Sequence, residues 1–149
     1  MVREAHAIWK DGPYAGEGTL STPSGVLNNS KYTFGSLTGL VATSTSPCEM
    51  LAAAISSSMS RMVAVEMTKV GIRPVEVETN TALTLDFVGE SLRIVGAHLK
   101  IVARTRDFEH GQFAEAVESA RRDCPVSSVL NVNIQCEAKL VSGAVQACA

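Results

Sequence analysis

Residues 46–71, SPCEMLAAAISSSMSRMVAVEMTKVG, carry both ends of one long helix. Ser46 can cap the free amides, Pro47 suits the first helical position, and Glu49, three residues after Ser46, completes a capping box. The helix is expected to run to about Val70, where Gly71 stops it. Met50, Leu51, Ala54, Ile55, Met62, Ala64 and Val65 form a broad apolar surface. Ala52, Ala53, Ser56, Ser57 and Ser58 leave its middle small-faced, and the polar end, Glu66 to Lys69, is expected to face water.

Working outward, Val75, Val77, Thr79, Thr81, Leu83, Leu85 and Phe87 alternate along a long half-buried strand. Gly89-Glu90 reverses the chain. A second strand starts at Leu92 and Ile94, changes phase near Gly96 as a bulge would require, and continues through Leu99, Ile101 and Ala103, pairing antiparallel with the first. Residues 112–122 read as a shorter helix with Phe113, Ala116, Val117 and Ala120 inward, and Val132, Ile134, Cys136, Ala138 and Leu140 alternate as a last strand. Upstream, residues 3–10 and 15–22 form a hairpin about Asp11-Gly12-Pro13. The Val26-Leu27 and Tyr32-Thr33-Phe34 segments suggest a brief third strand and an anchored loop. The uncharged run Leu37–Thr43 is bland enough to line a groove or meet another chain. These elements define an α+β protein.

A chain of 149 residues suits a single domain, with a loose tail from Ser142 to Ala149. The formal charge of -2, with both signs scattered, offers no basic stripe for nucleic acid. With no signal-like leader and no long apolar span, the expected setting is cytoplasmic, with no membrane partner. His6, His98 and His110 are not at metal-ligand spacing from one another or from a cysteine, so neither metal nor other cofactor is expected.

Cys48, Cys124, Cys136 and Cys148 contain no CxxC pair. Cys124, before Pro125 at a short helix start, is either a thiolate stabilised by free amides and the helix dipole or a buried apolar side chain. Cys48, at the second helical position, invites the same two readings. Cys136 is expected in the core, and Cys148 is incidental. Ser58 lacks a Gly-x-Ser-x-Gly elbow, so a hydrolytic role needs a base from elsewhere; the plainer reading is a small residue at a tight helix contact.

Four segments, taken together, resemble the OsmC/Ohr family: Gly16-Glu17-Gly18-Thr19-Leu20-Ser21-Thr22, Ser24-Gly25-Val26-Leu27, Thr45-Ser46-Pro47 opening a long helix, and Cys124-Pro125-Val126-Ser127. The resemblance extends from the first hairpin to Leu140. It implies antiparallel sheets packed on a long central helix, an intertwined homodimer with sites at the subunit interface, and thiol-dependent reduction of hydroperoxides with a dithiol reductant. It also implies a peroxidatic cysteine in mid-helix, a resolving cysteine in the Cys-Pro-Val-Ser segment, and an arginine and a glutamate that activate the first thiol.

Only the resolving position, Cys124, keeps its residue type. The peroxidatic position is Ser58, whose hydroxyl cannot form a sulfenic acid. The glutamate position is Cys48, with Glu49 about 100 degrees further round the helix. The arginine position falls near Leu37, and no arginine occurs between Arg3 and Arg61. Arg61, one turn beyond Ser58, is the nearby cation. Positions 48 and 58 lie about 15 Å apart along a straight helix and cannot touch within one chain; if the family site that the resemblance implies unites them, Cys48 of one subunit comes near Ser58 and Cys124 of the other.

Three functions follow as expectations. The first is a divergent family member, linked to oxidative stress, with two-cysteine peroxidase activity absent or weak and a pocket for an apolar ligand. The second is a thiol peroxidase using a relocated Cys48/Cys124 pair. The third gives Ser58 a hydrolytic role, or makes it a spacer in a structural protein.

Overall fold

The computed structural model describes residues 1–33, 35, 44–106 and 110–142, the last segment without the side chains of His110 and Gly111. Phe34, the Leu37–Thr43 run, Cys148 and the tail beyond Ser142 lie outside the described residues. The chain divides into two compact units, Met1–Leu51 and the part from Ala52 onward.

In the first unit β1 (His6–Lys10), β2 (Glu17–Ser21) and β3 (Ser30–Thr33) form an antiparallel sheet in chain order. Asp11 and Gly12, both at positive φ, turn β1 back, and the Trp9 indole N–H closes the turn on the Gly12 carbonyl at 2.7 Å. Gly18 stands opposite Tyr32, where a Cβ would collide with the phenol ring, so the close approach of that ring requires glycine. The third strand is centred on Tyr32; Val26 is exposed in the preceding turn.

Helix α1 (Pro47–Lys69) starts and stops where its end residues dictate. The Glu49 amide donates to Ser46 Oγ at 3.1 Å, and the Ser46 amide donates to Glu49 Oε2 at 3.2 Å, a reciprocal cap. At the other end Gly71, φ +83°, lets its N–H reach the Thr68 carbonyl and the Ile72 N–H reach the Met67 carbonyl. This is a Schellman closure.

The buried stripe of α1 is narrower than the sequence pattern implies: Ile55, Met59, Val63, Glu66 and Met67 are inside. Ala54 is exposed, and Met62, Ala64 and Val65 are only half-buried. Glu66 does not face water as expected. It follows the fourfold spacing of Ile55, Met59 and Val63 closely enough to be carried inward, and its carboxylate keeps a partner in Lys69 Nζ at 2.6 Å.

In the second unit β4 (Pro74–Val88) and β5 (Ser91–Thr105) pair antiparallel. The register shifts where Thr84 faces Gly96 but Leu85 faces Ile94, leaving Val95 as the extra residue of a bulge beside Gly96. Helix α2 (His110–Asp123) then crosses over, and β6 (Asn133–Ser142) joins the free side of β5 in parallel. The sheet order is β4-β5-β6, so this sheet is mixed, not antiparallel throughout. A connection of helical length permits the parallel return. Alternation along β5 buries Ala97, Leu99, Ile101 and Ala103, which share the core with Phe113, Ala116, Val117 and Ala120 of α2. Cys136 is half-buried, not in the core, because β6 is an edge strand whose inward face is fully covered only at Leu140. Among the described residues, no helix is long and apolar enough to cross a membrane.

Leu99→Ala should lower unfolding free energy by about 2–5 kcal/mol, the cost of a large-to-small change at a fully buried site. Ser46→Ala should cost only about 1 kcal/mol, the value of one cap. Urea unfolding at fixed protein concentration should show both as lower midpoints with an unchanged slope.

Candidate functional site

The segment after α2 folds back on Cys124. Pro125 has no N–H and presets φ for a turn. Ser127–Val129 then make one 3-10 turn, with the Ser128 amide donating to the Cys124 carbonyl at 3.1 Å. A three-residue turn is too short for the expected helix dipole to stabilise Cys124. The thiol instead receives specific hydrogen bonds: from the Ser127 amide at 3.4 Å and from the Ser127 hydroxyl at 3.2 Å. Both Cys124 and Ser127 are fully buried or nearly so.

Across from this turn, Ser58 of α1 places Oγ 3.2 Å from Cys124 Sγ. Ser58 is half-buried, beside the fully buried Met59. Its neighbours are used differently. Ser56 donates to Thr81 at 2.8 Å and Ser60 to Thr79 at 2.9 Å, tying α1 to β4, while Ser57 turns back to the Ala54 carbonyl at 3.1 Å. The small-faced stretch therefore carries hydroxyl bonds to two other elements.

Burial pushes the Cys124 thiol up, but the hydrogen bonds from Ser127 and Ser58, with backbone contributions from Ser127 and Val126, outweigh it and bring the thiol below its ordinary range. None of these influences is a charged group. Arg61 is exposed, with Nη1 4.0 Å from the Met62 sulfur, and makes no described hydrogen bond to Ser58 or Cys124. Cys48 and Cys136 move the other way: burial pushes both thiols up, although Arg121 works against that at Cys136.

Of the sequence-derived candidates, Ser58 and Cys124 are thus brought together. Cys48 sits half-buried in the first turn of α1, in the other unit. Glu49 Oε2 is engaged by the Ser46 amide and by the Thr45 hydroxyl at 3.0 Å, so that carboxylate serves the helix start. The position near Leu37 lies outside the described residues. Among those residues no group of three or more His, Cys, Asp or Glu side chains is placed to hold a metal. Sequence reasoning gave no role to Ser127; its place in the Cys124-Pro125-Val126-Ser127 motif was the available signal. The first unit also holds an apolar cavity of about 390 Å³, lined in part by Ala7, Leu20, Leu27, Tyr32 and Met50.

This α+β arrangement, with a long capped helix presenting its middle to a Cys-Pro-Val-Ser turn, agrees with the family that the motifs resemble. Residues 40–139 match the family model described as OsmC-like protein, and the chain belongs to the OsmC/Ohr family. The peroxiredoxin OsmC of Escherichia coli strain K12 is 29% identical over 141 residues, covering 94% of this chain and 97% of that relative. Among solved structures, an OsmC-like protein of unknown function from Vibrio cholerae superposes with a TM-score of 0.77 at 14% identity, covering 93% of this chain and 99% of the other. The organic hydroperoxide resistance protein OhrB of Bacillus subtilis superposes with a TM-score of 0.63 at 22% identity, covering 91% and 98%. The family is linked to peroxide resistance.

A thiol with a lowered folded-state pKa contributes stability that is fully present above its unfolded pKa, about 8.5, and is lost as pH falls through the folded value. The stability advantage of the wild type over Cys124→Ser should therefore grow as pH rises from about 6 toward 9. Urea midpoints measured across that range give the test; an advantage that shrinks with rising pH would mean that the thiol is raised, not lowered.

Proposed function

We propose that this chain is a divergent OsmC/Ohr-family protein, acting as a homodimer, in which ordinary two-cysteine hydroperoxide reduction is absent or strongly reduced. The supporting observation is the 3.2 Å contact between Ser58 Oγ and Cys124 Sγ: a hydroxyl stands opposite the thiol at the position where the family resemblance expects the peroxidatic sulfur. A serine there forms no sulfenic acid and no disulfide with Cys124, so the internal thiol relay has no first member. In this proposal residues 1–149 form a single OsmC-like domain. A second copy is supported by apolar surface left open in one chain, including Phe87, 68% exposed, with Val88 and Leu92 at the same hairpin end. The apolar cavity of the first unit has the size and lining of a small-molecule pocket, which supports an apolar ligand.

The alternative thiol route runs through a relocated Cys48/Cys124 pair. With Cys124 lowered and Cys48 raised, Cys124 attacks and Cys48 resolves.

The wild type should turn over an organic hydroperoxide with dithiol reductant far below thiol-peroxidase rates, and Cys48→Ser should leave that low rate unchanged. Ser58→Cys should raise turnover by an order of magnitude or more, with a reducible link between positions 58 and 124 visible by mass spectrometry. Wild-type turnover at ordinary thiol-peroxidase rates would refute the reading; loss of that turnover in Cys48→Ser would establish the relocated pair.

A further inference from the structure

The β4-β5-β6 sheet has two faces with different tasks. Thr79 and Thr81 of β4 bond to α1, and Ala97, Leu99 and Ile101 of β5 are buried in the core. Thr84, Gly96 and His98, in the opposite phase, lie on the other face. There, beside the bulge at Val95, is a depression of about 270 Å³, lined in the main by Thr84 of β4, Val95, Gly96 and His98 of β5, and Asn133 and Gln135 of β6. We propose that this depression is a binding site for a neutral, hydroxyl-rich ring molecule the size of a monosaccharide.

Gly96 is the first observation behind it. Its backbone is not left-handed, and the described atom nearest to where a Cβ would stand is the Asn133 carbonyl oxygen, at 4.0 Å. Neither conformation nor crowding within the described chain calls for glycine at this position. Its effect is to leave bare backbone at the depression, where a bound molecule can approach the main chain closely.

The walls supply the second. The side chains of Thr84, Asn133 and Gln135 make no hydrogen bond among the described residues. Asn133 and Gln135, two residues apart on β6, bring two amides to one face about 7 Å apart. The His98 ring is held through Nε2 by Glu137 at 2.9 Å, which leaves Nδ1 for a ligand. Amides and hydroxyls both donate and accept, and a ligand hydroxyl does the same, so a ring carrying several hydroxyls can pair with all of these groups.

Other classes of ligand fit less well. The described lining holds no carboxylate, ammonium or guanidinium; Glu137 and the Lys100 opposite it in register lie outside it and carry opposite signs. An ionic ligand would lose hydration there without gaining a counter-charge in the lining. A planar heterocycle is recognised by stacking on aromatic side chains, and none is among the described lining residues.

The test is a titration of the full-length, nitrogen-15-labelled protein with D-glucose, followed by amide NMR, beside D-glucuronate and D-glucosamine as the anionic and cationic forms of the same ring. Glucose should produce saturable shifts confined to residues around Thr84, Val95–His98 and Asn133–Gln135, with a Kd in the millimolar range expected of a small, shallow site. Gly96→Ala, which puts a methyl group in the ligand's place, should weaken binding about tenfold or more. Gln135→Ala, an exposed change that serves if Gly96→Ala does not fold, should weaken it about threefold to tenfold, the worth of one hydrogen bond. Shifts that rise linearly with glucose, saturation at another part of the surface, or unchanged binding in a folded Gly96→Ala or in Gln135→Ala would overturn the inference. Glucuronate or glucosamine binding as tightly as glucose would overturn it as well.

Discussion

The rotation of α1 about its own axis is set by the burial of Ile55, Met59, Val63 and Met67, four residues apart and all fully inaccessible. Each step of four advances about 40 degrees, so the stripe is broad enough to resist rolling in either direction. Turning the helix forward by one residue would expose this stripe and put Ser56, Ser60, Ala64 and Thr68 in its place. Losing the burial of four large apolar side chains, about 1.5–3 kcal/mol each, far exceeds any single hydrogen bond in the site. Ser58 faces Cys124 because Met59 faces the core. The chemistry at Cys124 therefore depends on an apolar constraint carried by residues that take no part in it.

Once that rotation is set, the serines of α1 sort by position. Ser56 and Ser60, one turn apart, meet Thr81 and Thr79 on β4, while Ser58 meets the thiol. Hydroxyl pairs are directional where apolar contacts are not, so they add alignment along the helix axis to the rotational constraint. The same stretch thus secures the helix against β4 and sets one hydroxyl against the Cys124 thiol.

Features encoded within a few residues were legible in the sequence: the reciprocal cap of Ser46 and Glu49, the stop at Gly71, the bulge near Gly96, and the inward face of α2. Each depends on chemistry between near neighbours along the chain. Glu66 was misread because a charged side chain reads as solvent-facing until its helix phase is fixed by distant partners. The parallel return of β6 escaped because alternation reports a strand's faces and says nothing of its neighbour or direction. At the site, Cys124 and Ser58 were named through the family resemblance, but the source of the thiol's acidity was not. It lies in the way Ser127 turns back on the sulfur, and the sequence shows only that Ser127 is nearby.

The parallel pairing of β5 with β6 also governs the order in which the chain matures. β4 and β5 are joined by a tight turn and can zip together quickly, but one side of β5 stays unpaired until α2 has formed and residues 133–142 have arrived. Until then, an edge carrying Leu99, Ile101 and Ala103 is open to strands of other chains. During synthesis that edge stays exposed for as long as residues 106–142 take to emerge. The interval is one in which a holding chaperone has something definite to cover.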